Sequence, residues 1–474
     1  MKQLLLVITA ISCLNVFVWS QTCGEGDYDA EAILNGSTWT VTNGGNTVYT
    51  GSDMLRAMQE AVGSLSRNRT RIERVLVKGD GTIQANRSLD LTSYTSIDVC
   101  GTINVTGPAS GDNAVIRGRD VHDIEIENLS VTGAPYFGIF FRKGYNITLK
   151  QINLQLSSGL GIRIDNDPSG SGNWGSTNRV KNVRIDNVYV SGANNHGVET
   201  YGVDGLKIGK VTARNVANCG LILNSTINAE VDTIDGEDCA TGTGYATFRM
   251  ANRNGKVGND WPENIFVHYL RARRGGRGIF SVSESGGAVF EKIDIAGTKS
   301  NSILLENAYN VTLATVSGVV EGSDIRIAAR ADEFENSRDL TIQNLTLKNC
   351  NLNESPCGEN VVFKNIQLEG RSRANICSKI IDDPVSVRKM ELNKKNTSLN
   401  AKLSGSVLKI VLSPDAVMKT GSKSLEVVTA QGRIILHDIL KNNVTEYYTD
   451  LSSLPNGVYM VRYANQTYPV VLFR

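Results

Sequence analysis

Residues 124–131 read IEIENLSV, residues 147–154 read ITLKQINL and residues 183–190 read VRIDNVYV, and similar segments recur through the middle of the chain. Further copies begin at Leu206, Ala229, Ile265, Ala288, Val311, Leu340 and Val361. Successive copies start 23, 36, 23, 23, 36, 23, 23, 29 and 21 residues apart. A repeat of this length, built from runs too short to bury a face alone, predicts a stacked solenoid.

The apolar residues of each copy have a period of two. They stand in short runs bounded by Gly, Asn and Ser, which predicts strands and argues against amphipathic helices. A propeller blade would need about 40 residues, more than one copy supplies. We therefore expect an all-β fold, a right-handed parallel β-helix with two or three short strands in each coil.

The charge and hydropathy of this 474-residue chain indicate where in the cell it acts and which partners it lacks. Lys and Arg number 49 and Asp and Glu 48, a balance that argues against a nucleic-acid partner or a bulk membrane surface. Residues 1–20, with Lys2 and an apolar run over residues 4–18, predict a secretory signal peptide. No later run approaches the roughly 20 apolar residues of a transmembrane segment. We expect a secreted or cell-surface protein, and a monomer.

The pattern divides the mature chain into two domains. A β-helix domain is expected over residues 21–383, with a capping helix at about residues 52–66 and Ser52 as its N-cap. Residues 384–397 read as a linker, and residues 398–474 predict a small β-sandwich.

Seven cysteines remain after Cys13 of the signal segment, so at least one is unpaired within the chain. Cys350 with Cys357, or Cys219 with Cys239, are candidate disulfides whose pairing the sequence leaves open. The absence of a C-x-x-C pair argues against structural zinc.

A polar patch is expected where equivalent positions of neighbouring coils stack about 4.8 Å apart. Aligned by their starts, the coils place Arg163 beside Glu199, and Asp165 beside Tyr201. The two steps of 36 residues each hold 13 extra residues, and these insertions should leave one edge of the solenoid three coils apart, roughly 14 Å. Each insertion carries a Trp, so they would wall a groove suited to an extended glycan.

This groove supplies the candidate site residues. The candidate catalytic residues are His196, Glu199, Arg163, Asp165, Tyr201 and Arg249, the last of which faces outward only if its coil has slipped in register. The candidate substrate-binding residues are Trp174, Asn224, Tyr245, Trp261 and Arg277. Asp165 and Asp167 open a D-x-D-x-S-G run that could hold calcium, although position twelve is Ser176 and not Glu. Inter-coil ion pairs such as Arg163–Glu199 are the purely structural interpretation of the same residues.

Two resemblances add to these predictions. The coil pattern over about residues 70–380 resembles the pectin-lyase-like superfamily, which implies an enzyme acting on an extended glycan in a lateral groove. The polygalacturonase set, the R-x-P-x-x-R of pectate lyases and the D-P-H-D of alginate epimerases are absent. The Q-G-R turn at residues 431–433 and the L-P-N-G-V-Y-M-V strand at residues 454–461 resemble the C-terminal sorting domain of the type IX secretion pathway of Bacteroidetes. That resemblance implies the type IX secretion machinery as a partner.

Three functions are compatible with these residues. The first is β-elimination of an acidic polysaccharide, with His196 or Tyr201 as base and Arg163, Arg249 and possible calcium as stabilising cations. The second is glycoside hydrolysis by Asp165 and Glu199. The third is a non-catalytic glycan-binding adhesin. We rank elimination first and the adhesin last.

Overall fold

A computed structural model of the chain describes residues 23–167, 175–242, 244–330 and 332–381. Toward the carboxyl terminus it describes residues 399–404, 407–412, 423–429, 434–440, 446–451, 454, 457–463 and 466–472. The expected signal peptide, the linker and Trp174 lie outside these residues. The chain divides into two compact units, Met1–Asp383 and Pro384–Arg474.

The first unit begins with a short hairpin region and one helix, followed by the coils of a parallel β-helix. Its elements up to the third coil are β1 (Ala30–Asn35), β2 (Thr38–Asn43), β3 (Asn46–Gly51), α1 (Met54–Gly63), β4 (Glu73–Lys78), β5 (Gly81–Gln84), β6 (Leu89–Asp90), β7 (Thr95–Cys100), β8 (Thr102–Thr106) and β9 (Ala114–Gly133). The next elements are β10 (Phe137–Leu156), β11 (Leu160–Asp165), β12 (Val180–Ser191), β13 (Val198–Tyr201), β14 (Val203–Arg214), β15 (Leu221–Asn224), β16 (Ile227–Glu237), β17 (Phe248–Ala251), β18 (Ile265–Arg273) and β19 (Ile279–Ser281). The unit ends with β20 (Ser285–Ala296), β21 (Ile303–Glu306), β22 (Ala308–Leu313), β23 (Ser317–Glu321), β24 (Ile325–Ala328), β25 (Arg338–Gln343), β26 (Leu345–Lys348), β27 (Leu352–Glu354), β28 (Val362–Lys364), β29 (Gln367–Glu369), β30 (Ala374–Asn375) and β31 (Ile380–Ile381).

Parallel pairing between successive coils confirms the predicted β-helix of about 13 coils. Three parallel ladders run its length, and the repeat predicted from the sequence forms one of them, with Ile147 paired to Val183 and Val183 to Leu206. The ladder that carries the candidate site consists of part of β10 followed by β11, β13, β15, β17, β19 and β21. We call it the site ladder.

A column of left-handed turns precedes the copies of the repeat, with the exception of the copy that starts at Ile265. The residues just before the copies have positive φ, for example Asp123 at 54°, Asn146 at 54° and Asn182 at 54°. Asn and Asp tolerate this conformation better than other residues with a side chain. Their side chains also bond between coils, since Asn146 Nδ2 donates to Asp123 Oδ1 at 2.9 Å and Asn182 Nδ2 to Asn146 Oδ1 at 3.0 Å. Asn146, which opens an Asn-x-Thr triplet, therefore has a structural role in the turn.

The core is a stack of aliphatic side chains from the inward positions of each strand. Leu149, Ile185 and Leu206 are fully buried, and Ile208 is almost so. Burying such a side chain contributes roughly 1.5–3 kcal/mol. The repeated inward alternation is thus the main source of stability and fixes the register that aligns the outward residues.

Helix α1 packs on the first strands and adds Met54, Leu55 and Met58 to the same core. Its N-cap is Asp53, whose Oδ1 accepts from the Arg56 backbone N–H at 3.0 Å, so the prediction of Ser52 was wrong by one residue. The carboxylate also carries charge that favours a helix N-terminus.

Both candidate disulfides were wrong. The two disulfides of the described residues join Cys23 to Cys100 and Cys357 to Cys377, with Cα atoms 5.5 and 5.8 Å apart. Cys350 is buried in the core and so does not meet Cys357, which lies on an outer turn. Cys219 and Cys239 are buried free thiols at different positions of neighbouring coils.

The two insertions place their extra residues differently relative to the strands of the site ladder. The first places all its extra residues after β11, whereas the second is divided around β17. Along the ladder, Glu199 pairs with Ile222 after 23 residues, but Ile222 pairs with Arg249 after 27. Four extra residues therefore precede β17. With a constant spacing of 23 residues Tyr245 would pair with Ile222, but the extra residues place Arg249 at that position.

The second unit contains two antiparallel sheets. One sheet consists of β32 (Leu399–Ser404), β33 (Val407–Leu412) and β36 (Glu446–Asp450). The other consists of β34 (Lys423–Thr429), β35 (Ile434–Leu440), β37 (Gly457–Tyr463) and β38 (Gln466–Leu472). Leu408, Ile410, Val427 and Val461, from both sheets, are fully buried in one cluster, as a small sandwich requires.

Candidate functional site

The outward residues of the site ladder form a single column across the coils. In coil order they are Phe140, Arg163, Glu199, Ile222, Arg249, Phe280 and Leu304. A second column, two residues further along each strand, holds Arg142, Asp165, Tyr201 and Asn224. Strict strand pairing thus brings the predicted ionisable residues together.

A continuous chain of polar contacts crosses these columns. Arg142 Nε lies 2.9 Å from Asp165 Oδ1, and Arg163 Nε lies 2.7 Å from Asp165 Oδ2. Arg163 Nη1 donates to Glu199 Oε2 at 3.0 Å. Asn224 Nδ2 then donates to Glu199 Oε1 at 3.1 Å. Both oxygens of each carboxylate are therefore oriented by fixed donors.

The surroundings of Glu199 change the pKa of its carboxyl group. Its side chain is buried, and this burial, together with the negative charge of Asp165, raises its pKa, against the opposing influence of Arg163 and Arg249. A carboxyl group with a raised pKa can exchange a proton near neutral pH. Asp165, in contrast, is fully buried between two guanidinium groups and has no exposed surface for a substrate.

His196 is held as a neutral imidazole. Burial, followed by the charges of Arg249 and Arg163, lowers its pKa to about 3. The backbone N–H of Cys219 donates to His196 Nδ1 at 3.1 Å, so the ring hydrogen must lie on Nε2. In this tautomer the ring donates a hydrogen bond and has no free lone pair for a base. The structure therefore favours a donor role for His196 over the predicted general base.

A cleft of about 470 Å³ opens beside these groups and is lined by Arg163, His196 and Glu199. Tyr136, which is 45% exposed, lies on the same wall. An exposed aromatic ring beside buried acid–base groups is a suitable surface for a sugar ring. The sequence reasoning missed Tyr136, although it stands two residues before Gly138, as Asn195 stands two residues before Gly197.

Asn195 is a second residue of the cleft that sequence reasoning missed. Its Oδ1 accepts from the His196 backbone N–H at 2.9 Å and from Asn218 Nδ2 at 2.9 Å. The side chain fixes the turn that presents His196. The doubled Asn of the NNHG run was the available signal.

Arg249 and Arg277 extend the site along the coil axis as unpaired cations. The Arg249 guanidinium lies 5.7 Å from the centre of the Tyr245 ring and 5.2 Å from that of Phe280, which Arg277 approaches at 5.1 Å. The buried Nε of each arginine has no acceptor. Within the described ranges, no carboxylate forms an ion pair with either side chain. Burial, with repulsion from Arg249 contributing, lowers the pKa of Arg277.

The predicted aromatic residues are placed differently from one another. Trp261 is buried on Tyr309, with ring centres 4.6 Å apart, and its Nε1–H donates to the Glu284 carbonyl at 2.6 Å. It therefore packs against later coils and does not form an exposed wall. Tyr245 lies edge-on to His196 at 5.5 Å, within the site. Tyr201 is half-buried, and its burial raises its pKa, so the hydroxyl stays protonated at neutral pH and the phenolate needed for a base is scarce.

The proposed calcium ligands do not fit a calcium ion. Both oxygens of Asp165 already accept from guanidinium groups, and Arg142 Nε lies 3.9 Å from Asp167 Oδ1. Calcium requires carboxylate oxygens free of competing cations. We therefore derive no step through calcium.

Comparison with known proteins identifies the carboxyl-terminal unit. Residues 404–471 match the family described as "Secretion system C-terminal sorting domain", which confirms the resemblance seen in the sequence. In the described part of the chain, no helix has the length and apolar character needed to cross a membrane. The protein is a parallel β-helix protein with a secretion sorting domain, and it is secreted or held at the cell surface.

Several solved structures are similar to this chain at low sequence identity. The Azotobacter vinelandii mannuronan C-5 epimerase AlgE4 A-module is 12% identical, covers 70% of this chain and 94% of its own, and has a TM-score of 0.47. The Siphovirus 9NA tailspike receptor binding domain is 11% identical, covers 84% and 95%, and has a TM-score of 0.32. The enzymatically active domain of bacteriophage CBA120 tailspike protein 2 is 10% identical, covers 86% and 70%, and has a TM-score of 0.31. No curated protein sequence matches the chain. Any functional conclusion therefore rests on this chain's own residues.

Proposed function

We propose that the protein is a secreted carbohydrate-active enzyme that cleaves an acidic polysaccharide by β-elimination, delivered by the type IX secretion machinery. The observation that supports the proposal is Arg249, a cation that forms no ion pair within the described residues and whose charge acts on the buried Glu199 of raised pKa. Arg277, which also lacks an ion pair within the described residues, is a second cation close to Arg249. A uronate carboxylate would supply the acceptors and the negative charge that these guanidinium groups lack.

Elimination needs neutralisation of the uronate carboxylate, a base for the adjacent C–H, and a donor for the departing glycosidic oxygen. Arg249 and Arg163 would hold the carboxylate and stabilise the negative charge that develops as the proton leaves. Glu199, oriented by Arg163 and Asn224, is the proton acceptor. The Nε2–H of His196 is a donor for a substrate oxygen. The C–H electrons form the new double bond as the C–O bond breaks, and the proton accepted by Glu199 is passed to the departing oxygen, to which His196 Nε2–H donates a hydrogen bond.

Hydrolysis is a second candidate because the raised pKa of Glu199 would also suit a general acid. Hydrolysis, however, needs a second carboxylate that can reach water or the sugar. Asp165 is fully buried and bonded to two arginines, so it cannot activate a water molecule or attack a sugar. We therefore rank hydrolysis below elimination, and glycan binding without cleavage below both.

The test is a panel of pectate, alginate and glucuronan, with a neutral glucan as control, followed by the ultraviolet absorbance of unsaturated uronate. We expect absorbance to rise with at least one acidic polymer and with chelator present. Release of reducing ends without absorbance would favour hydrolysis, and binding without either product would favour an adhesin.

A further inference from the structure

A second cleft, of about 440 Å³, lies between the two insertions and shares no lining residue with the Glu199 cleft. Arg179, at the end of the first insertion, lines it from one side. Arg253 and Lys256, from the second insertion, line it from the other, and Ser225 lies in the turn that follows β15.

The charges around this cleft are unbalanced. Arg253 Nε is paired with Glu284 Oε2 at 2.7 Å. Of the residues whose positions are described, no Asp or Glu forms an ion pair with Arg179 or Lys256. The Lys256 Nζ lies 4.6 Å from the centre of the Trp261 ring, and the Arg179 guanidinium donates to the Ser225 carbonyl. Among the described residues that line the cleft, three are cations and none is a carboxylate, while Glu284 pairs with Arg253 from outside the lining.

Ser225 adds an unsatisfied donor to the same place. The residue is 1% exposed, and its Oγ has no hydrogen-bond partner. An unpaired buried hydroxyl destabilises the fold, and native proteins rarely leave one without a reason. A bound oxyanion would supply the acceptor that this hydroxyl lacks.

The position of the cleft relates it to the catalytic groups. Ser225 directly follows Asn224, whose side chain bonds Glu199. We propose that the cleft between the insertions binds an oxyanion, the carboxylate or sulfate group of a polysaccharide residue near the one that is cleaved. The identification of the ligand as a polysaccharide rests on the proposed function, whereas the binding of an oxyanion in this cleft does not.

The experiment measures oligosaccharide binding by calorimetry in a Glu199→Gln background, which separates binding from turnover. The probes are hexagalacturonate, which carries carboxylates only, a carrageenan hexasaccharide, which carries sulfates only, and neutral cellohexaose. Lys256→Gln should weaken binding of one charged probe on the order of tenfold, because a charge-assisted bond contributes about 1.5–3 kcal/mol. The exposed Lys210→Gln on β14 is the matched control and should change nothing.

Ser225→Ala distinguishes a ligand site from a structural feature. It should weaken the same probe, yet it should not lower the free energy of unfolding, because the hydroxyl has no partner to lose. Equal affinity of the Lys256→Gln and parent proteins for both charged probes would overturn the inference. If the enzyme cleaves no acidic polymer but Lys256→Gln still weakens binding, the proposed function fails and the anion site stands.

Discussion

Replacing Arg249 by Gln should separate activity from stability in this protein. The guanidinium packs between Tyr245 and Phe280 and its buried Nε has no acceptor. In wild type it forms no ion pair with any carboxylate of the described chain, so the substitution breaks none. Loss of a cation–π contact, about 0.5–1 kcal/mol, opposes relief of the buried charge. We expect the free energy of unfolding to change by less than about 1 kcal/mol.

The expected loss of activity is much larger. If Arg249 holds the uronate carboxylate, Gln removes a charge-assisted hydrogen bond of about 1.5–3 kcal/mol. At about 1.4 kcal/mol for each factor of ten, kcat/KM should fall roughly 10- to 150-fold. The positive charge of Arg249 also opposes the rise in the pKa of Glu199. Its loss should raise that pKa further and move the acidic limb of the pH–rate profile to higher pH.

The assay is initial-rate kinetics on the polymer cleaved by wild type, together with urea unfolding. Arg271→Gln is the matched control, because Arg271 lies on β18, outside the site ladder. Its Nη1 is 2.7 Å from Asp235 Oδ1. This variant should lose about 0.2–1 kcal/mol of stability and keep its kcat/KM. Unchanged kinetics of Arg249→Gln, with a loss of stability above about 2 kcal/mol, would show that Arg249 is structural and refute the reasoning.

Three further substitutions give separate tests. Glu199→Gln should lower kcat by at least about 100-fold while retaining binding. Burial raises the pKa of Glu199, so the protonated side chain contributes to stability at acid pH, and this contribution is lost as pH rises through the folded-state pKa. The free energy of unfolding of the wild type should therefore fall toward neutral pH. Glu199→Gln should make this fall smaller. Asp165→Asn leaves Arg142 and Arg163 without their shared carboxylate and should cost about 3–5 kcal/mol in urea unfolding; a change below about 1 kcal/mol would contradict the pairing described. Cys377→Ser opens the disulfide to Cys357, which spans 20 residues, and should destabilise the last coils by about 3 kcal/mol, seen as faster hydrogen exchange in β28 but not in β12.

The sequence was sufficient to predict the solenoid because its determinants are local and repeated. The alternation at Ile147 and Leu149 recurs at Val183 and Ile185, and inward-facing pairs of this kind can stack in only one register. That register also predicts from the sequence alone that Arg163 lies beside Glu199, as the strand pairing shows. Short strands with a fixed period thus predict both the core and the outward columns.

The remaining features depend on contacts that a repeat does not encode. The spacing of coil starts reports the size of the second insertion but not its division around β17, which moved Arg249 into the site. The burial of Trp261 depends on Tyr309, which lies two coils later. The tautomer of His196 depends on a backbone N–H of the next coil, and backbone donors leave no mark in the sequence. Chemistry at this site is therefore decided by inter-coil neighbours.

The measurement that most directly tests the account is the mass of the products released from an acidic polysaccharide by the full-length protein. Elimination gives oligosaccharides lighter by one water molecule than hydrolytic products, with an unsaturated residue at the new non-reducing end. We predict such products from a uronate polymer, and their loss in Glu199→Gln. Products that have gained water, or cleavage confined to the neutral glucan, would contradict the account.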